Sequence, residues 1–371
     1  MTNKFRDQPF SIQWRWIVVR LDRLVPLKLL QFTSGAPFPA IVRLPSRDKQ
    51  HSIKLHVYIP RHDPPTNSNA FPVHLDFHGG GFTMGSCFEQ APFCSMLARN
   101  QGKIVISVDY RMGPRYEFPT SVQDAEDVLA AVLKPLSDSG IALREAISSR
   151  TSPHTRDDIL DASKVSLSGF SSGGNLAYNL AVSFEKEECE WPSLFPNEGH
   201  SPIPMLLFYP SFDQTYLPHE RTMPEHLQTP EGSKPSHMKL DNHLMPIYLH
   251  KDQRRHPRSS PGLQDIDCLN KRARVFLVLP EIDSLGPQGE EWVKKMGRGG
   301  RGDDLVVKRY MGMKHGWTQF PDVFLKKKAK VEKYRVFQEA MDYLDDIEAR
   351  PLRHDSSDGA TAEKEKDTDI S

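Results

Sequence analysis

Hydrophobic positions change period several times along this chain, and those changes mark out its elements. Ile53, Leu55, Val57 and Ile59 alternate with polar residues, the period of a half-buried strand. Two near-continuous apolar runs, FPVHLDF over 71–77 and KIVISV over 103–108, read as buried strands, with a helix over about 91–100 between them. Over 121–133, Val122, Ala125, Val128, Leu129 and Val132 share one helical face. The short strand KVSLS ends at Ser168 and runs into GFSSGGNLAYNLAVSF, a glycine turn opening a helix. Further strands are expected at 203–209, 274–280 and 304–310. EEWVKKMG supplies a helix between the last two, with Gly297 placed as its C-cap. A closing helix follows Pro321 and turns Val336, Phe337, Ala340, Met341, Leu344 and Ile347 inward. Strands alternating with helices imply an α/β chain with a mostly parallel central sheet flanked by helices.

Three segments stand outside this rhythm. Residues 10–32 are apolar and aromatic with Arg15, Arg20, Arg23 and Lys28 interspersed, and predict one helix broken near Pro26 or two short ones. A lid over the main domain is the preferred reading. An ordinary surface helix is one alternative. An interfacial membrane helix is another, because basic residues flank Trp14 and Trp16. Residues 211–262, rich in Pro, His and charge, predict an excursion over one end of the sheet. The polar segment from 349 to 371 reads as a disordered tail. The expected division is therefore N-terminal cap helices over 1–50, a main domain over 51–348 and the tail.

Composition narrows the partners. Lysine plus arginine equals aspartate plus glutamate at 48 each, so no global field attracts nucleic acid. Thirty prolines foretell long irregular connections. Cys87, Cys94, Cys189 and Cys268 show neither metal-ligand nor disulfide-framework spacing, which fits reduced thiols in the cytoplasm. No run approaches the ~20 apolar residues that span a bilayer, and the N-terminus lacks a secretory pattern. A small-molecule substrate is expected, with no cofactor and no metal.

The chemistry gathers at five places. Gly169-Phe170-Ser171-Ser172-Gly173 lies between a predicted strand and a predicted helix. A serine on so sharp a turn projects its hydroxyl at the carboxyl end of the sheet, over a helix N-terminus, and larger neighbours would collide there. Ser172 fails the same spacing because Phe170 stands two residues before it, yet its N–H suits an oxyanion donor. His78-Gly79-Gly80-Gly81 ends an upstream strand, and bare backbone there lets N–H groups reach a tetrahedral oxyanion. A serine hydroxyl needs a base. Of fifteen histidines, His315 stands in the loop after the last predicted strand. His78 precedes the serine, and those from His200 to His256 belong to irregular chain. Asp283, at a strand end between serine and histidine, is the expected orienting acid, with Glu281 as a substitute. Asp303 and Asp304 fall at the wrong end of the sheet.

These segments resemble the hormone-sensitive-lipase family of α/β hydrolases, whose members carry H-G-G-G. The likeness rests on HGGGF at 78–82, VDYRMGPRYEFP at 108–119, GFSSGGN at 169–175, EIDSLGPQG at 281–289 and HGW at 315–317, in the family's order. It implies the α/β-hydrolase fold with a helical cap. It also implies a triad of Ser171, Asp283 and His315, and an oxyanion hole of Gly80, Gly81 and Ser172 shaped by Gly79 and His78. The implied activity is carboxylic-ester hydrolysis through an acyl-enzyme. An amidase, thioesterase or acyltransferase would use the same groups. A ligand receptor like those of plant gibberellin is disfavoured, because it would lack the histidine that His315 supplies. The chain departs from the pattern at Phe170, Ser172, Pro287-Gln288 and Met112-Gly113-Pro114-Arg115.

Overall fold

A computed structural model of the chain describes residues 8–20, 34–61, 70–151, 159–186, 189–199, 201–221 and 236–350. Residues 351–371 of the expected tail, the stretch around Pro26 and residues 222–235 of the expected excursion fall outside them. The elements are α1 (Phe10–Val18), β1 (Ala40–Pro45), β2 (Ser52–Tyr58), β3 (Phe71–Phe77), α2 (Ala91–Gln101), β4 (Ile104–Asp109), α3 (Thr120–Leu133), α4 (Asp138–Ser148), β5 (Leu160–Phe170) and α5 (Ser172–Leu180). There follow the small hairpin β6 (Phe184–Lys186) and β7 (Cys189–Trp191), then β8 (Ile203–Phe208), α6 (Ser236–Tyr248), β9 (Ala273–Ile282), α7 (Gly286–Arg298), β10 (Leu305–Lys314) and α8 (Lys327–Ala349).

Eight strands form one sheet in the order β1-β2-β4-β3-β5-β8-β9-β10. The first two pairings are antiparallel and every later one is parallel. Strand side chains alternate between faces, and the two faces fill separate cores. Met205, Leu207, Val275 and Leu277 join the cluster under α3, α5 and α7, whereas Leu206, Phe208, Phe276 and Val278 join the cluster under α2 and α8. The central strands are therefore buried on both sides, which is why they read as continuous apolar runs rather than alternating ones.

Three expectations need correction. Residues 40–45 are not cap but an edge strand: Val42 and Leu44 alternate inward and pair with Leu55 and Ile53. Gly297 does not cap α7. The N–H of Arg301 reaches the Met296 carbonyl (2.9 Å) and that of Gly300 the Gly297 carbonyl (3.2 Å), with Gly300 at φ +71°. This places the left-handed glycine three residues later, in a Schellman turn. The helix after Ser171 stops at Leu180 instead of Phe184, because Val182 bridges to Leu269 and Phe184 pairs with Trp191. No helix among the described residues is long and apolar enough to cross a membrane. Helix α1 packs against α6, so the N-terminal helix meets the 211–262 excursion.

One charged group lies deep in the sheet. Asp76 on β3 is fully buried and accepts from Ser168 Oγ (2.7 Å), Ser107 Oγ (2.8 Å) and Cys94 Sγ (3.4 Å). Burial drives its carboxyl up to about 6, and those three donors offset only part of the cost of the charge. The folded state therefore holds the proton more tightly than the unfolded chain does. Stability from this group is greatest below the ordinary value of 3.8 and is lost as pH rises through about 6. In urea unfolding, the stability of the parent relative to Asp76→Asn is expected to fall by roughly 3 kcal/mol between acidic and neutral pH. A pH-independent difference would contradict it.

Candidate active site

Ser171 sits where β5 hands over to α5, with φ 54° and ψ −115°. A side chain at positive φ is strained by ~1–3 kcal/mol and persists only when its surroundings fix it. Three backbone bonds do so: Ser171 N–H to the Phe208 carbonyl (2.9 Å), and Asn175 and Ser211 N–H to the Ser171 carbonyl (3.2 and 3.1 Å). The flanking glycines are required by close approach. A Cβ on Gly169 would lie 2.1 Å from the Gly173 carbonyl oxygen, and one on Gly173 would lie 2.0 Å from that of Phe77. Ser171 remains 8% exposed, so its hydroxyl faces a confined opening.

The other two side chains arrive from β9 and β10. Ile282 pairs with Lys314 at the carboxyl ends of these strands, so the next residues, Asp283 and His315, emerge side by side. The His315 N–H closes the junction by donating to the Ile282 carbonyl (3.1 Å). His315 Nδ1 lies 2.8 Å from Asp283 Oδ2 and Nε2 lies 2.9 Å from Ser171 Oγ. A carboxylate can only accept, so Nδ1 carries the proton and Nε2 presents its lone pair to the serine hydroxyl. Asp283 Oδ1 accepts from the Leu285 N–H (2.8 Å), which fixes the carboxylate plane. Its side chain is 1% exposed against 35% for His315.

The glycine loop closes the rim. Gly80 takes φ +122° and Gly81 φ +61°. A Cβ on Gly80 would lie 2.0 Å from the Met84 carbonyl oxygen, and one on Gly79 would lie 2.6 Å from Gln319 Oε1 and 2.9 Å from the Phe170 carbonyl oxygen. The loop is thus pressed against both the residue before Ser171 and the turn that carries His315. Beneath it His78 stacks on Tyr110 (4.4 Å between centroids, 13°), and the Tyr110 hydroxyl donates to the His78 carbonyl (2.8 Å). Ser172 opens α5, where an N–H has no intrahelical acceptor.

The competing candidates go elsewhere. Glu281 accepts from the Gly312 N–H (2.6 Å), Ser172 is buried with its Oγ 3.5 Å from the Tyr110 hydroxyl, and Asp304 pairs with Arg301 and Arg274. Sequence reasoning missed two supports. Tyr209 packs its ring edge against His315 (4.9 Å) and hydrogen-bonds the Thr318 hydroxyl, and burial pushes its phenol up, so it stays protonated. Nothing in its strand-end position signals that role. Asn175 Nδ2 donates to the Ser211 and Ser259 carbonyls (2.8 and 2.9 Å), tying both ends of the 211–262 excursion to the first turn after Ser171. Gln288, where the family often has an acid, brackets the Asp213 backbone, its Oε1 accepting from the N–H at 2.7 Å. Phe170 stacks on Phe208 (4.3 Å, 8°) and faces away from the rim into the core.

A model of the alpha/beta hydrolase fold family matches residues 74–319. The chain belongs to that family. Its hormone-sensitive-lipase-like branch is the one the motifs resemble. Over 199 residues the chain is 26% identical to probable carboxylesterase 1 of Arabidopsis thaliana, covering 52% of this chain and 56% of that protein. Over 257 residues it is 25% identical to the ethyl acetate hydrolase of Pseudomonas putida, covering 69% of each. The match thus spans about half the length of the plant relative. The fold is shared with the carboxylesterase EstE1 from a metagenomic library, at TM-score 0.63 and 23% identity over 91% of this chain and 98% of that one.

The Phe77 and His78 carbonyl oxygens, 2.0 and 2.4 Å from where a Cβ on Gly173 would stand, make a sharp test of this hydrolase-fold elbow. Gly173→Ala must push apart α5 and the end of β3, at a cost of about 3 kcal/mol. A clear drop in thermal midpoint is expected by calorimetry. An unchanged midpoint would show that the turn tolerates a Cβ.

Proposed function

We propose that the protein is a serine hydrolase of carboxylic esters, with Ser171 as nucleophile, His315 as base and Asp283 as the acid that orients it. The observation that carries the reading is the unbroken line of hydrogen bonds from Asp283 Oδ2 through the imidazole to Ser171 Oγ. The names of the relatives, carboxylesterase and ethyl acetate hydrolase, support ester chemistry over amide or thioester chemistry.

Ser171 Oγ attacks the ester carbonyl carbon while its proton passes to His315 Nε2. The carbonyl π pair moves to oxygen, and the oxyanion meets the N–H groups of Gly80, Gly81 and Ser172, with Gly79 giving the loop its close approach. Asp283 stays ionised and stabilises the imidazolium. Collapse re-forms the carbonyl and breaks the bond to the alcohol oxygen, which takes the proton from Nε2. Water then loses a proton to Nε2 as it adds to the acyl carbon; collapse breaks the bond to Ser171 Oγ, which takes that proton back from Nε2, and the carboxylic acid leaves. A cap built on α1 and α6, which pack against each other, would shelter a small or medium apolar substrate. Cys87, Cys94 and Cys268 as free thiols support a cytoplasmic setting.

Purified protein is expected to release p-nitrophenol from acetyl and butyryl esters. Ser171→Ala should lower kcat by about 10^6-fold and abolish labelling by a fluorophosphonate probe. Asp283→Asn should cost about 10^4-fold by spoiling the tautomer. Activity or labelling that survives Ser171→Ala removes Ser171 from the mechanism. Transfer of the acyl group to an added alcohol in preference to water would reassign the protein as an acyltransferase.

A further inference from the structure

An exposed apolar turn follows the His315 loop. Phe320, Val323 and Phe324 are 52%, 84% and 78% exposed, and Met311, within β10, is 64% exposed. The turn is ordered by its own backbone bonds, Phe324 N–H to the Pro321 carbonyl (3.0 Å) and Leu325 N–H to the Asp322 carbonyl (3.2 Å). It leads directly into Lys326, Lys327 and Lys328, all exposed. Asp322 engages Lys330 and Lys333 (3.1 Å each), whereas the three preceding lysines form no ion pair among the described residues. Lys328 Nζ lies 3.7 Å from where a Cβ on Gly312 would stand, so this cation reaches back toward the residue after Met311.

This arrangement works against folding. The first turn of α8 contains no acid and gathers lysines at the positive end of the helix dipole. Exposed phenylalanine and valine beside them gain nothing from water. Both penalties are relieved by the same partner, one with negative charge above an apolar layer. We propose that Phe320, Val323 and Phe324 with Lys326, Lys327 and Lys328 form a docking surface for an anionic lipid bilayer. The apolar side chains enter the headgroup boundary and the lysines meet lipid phosphates. A second copy is disfavoured by charge, since a twofold contact on this patch would set lysines against lysines. A Cβ on Gly316 would lie 3.8 Å from the Phe320 ring, so docking would bring the His315 rim to the membrane surface. The inference stands on surface chemistry and does not depend on the catalytic reading.

The test is co-sedimentation of the full chain with vesicles of phosphatidylcholine, alone or with about one-third phosphatidylserine. Binding is expected to the mixed vesicles, not to phosphatidylcholine alone. The triple variant Lys326→Gln, Lys327→Gln, Lys328→Gln should lower the partition coefficient roughly 100-fold. The double variant Val323→Ser, Phe324→Ser should lower it at least about 10-fold. Both variants should keep the parent circular dichroism and the parent turnover of a water-soluble ester, because these side chains are exposed. Binding by both variants equal to the parent overturns the proposal and moves the contact to another surface, such as exposed Phe10 and Trp14 of α1. Failure of the parent to bind mixed vesicles also overturns it. So does a dimer in light scattering that Phe324→Ser dissolves, or capture by an acidic protein without any vesicle binding.

Discussion

Parallel pairing of Ile282 with Lys314 is the contact on which the site depends. It sets two loops side by side, so that an aspartate from one and a histidine from the other share a hydrogen bond of 2.8 Å. That register is not maintained locally. Along β9, Val275 and Leu277 fill one core while Phe276 and Val278 fill the other, so a slip of one residue would turn every side chain to the wrong face. The two hydrophobic cores thus hold the polar geometry at the rim.

The serine elbow makes the opposite kind of demand. Its backbone is strained, and the strain is held by neighbours that leave no room for a side chain: the Phe77 and His78 carbonyls against Gly173, and Pro210 against Gly174. Below it, where the family often carries an aspartate, Phe170 stacks on Phe208 and meets Phe93 edge to face. The chain thus anchors the turn from beneath by aromatic packing. Asp76 lies in the same layer and trades stability for a buried hydrogen-bonded cluster linking β3, β4 and β5 through Ser107 and Ser168.

The 211–262 excursion becomes intelligible once its anchors are seen. Asn175 holds both of its ends, and buried Arg258 donates to the Asn179 and Trp191 carbonyls (2.6 and 2.7 Å). The elbow helix therefore positions the serine on one side and the excursion on the other. Tyr209 plays a similar double part, closing β8 and bracing the imidazole.

The sequence alone determined the parallel sheet and the helices covering it, because period and apolar run length are local consequences of which faces are buried. It also singled out Ser171, His315, Asp283 and the glycine loop as candidates, since a sharp turn and a close backbone approach admit few residue types. What it left undetermined was long-range. The edge strand 40–45 is short and half polar, and declares itself only by pairing with β2. Gly300 was chosen over Gly297 by where α7 runs out of carbonyl partners. Tyr209, Asn175 and Gln288 gained their parts from neighbours distant in sequence, and such contacts leave no periodic trace. Composition and spacing specify what each segment can become; only the packed sheet decides which segments meet, because distance along the chain carries no information about distance across it.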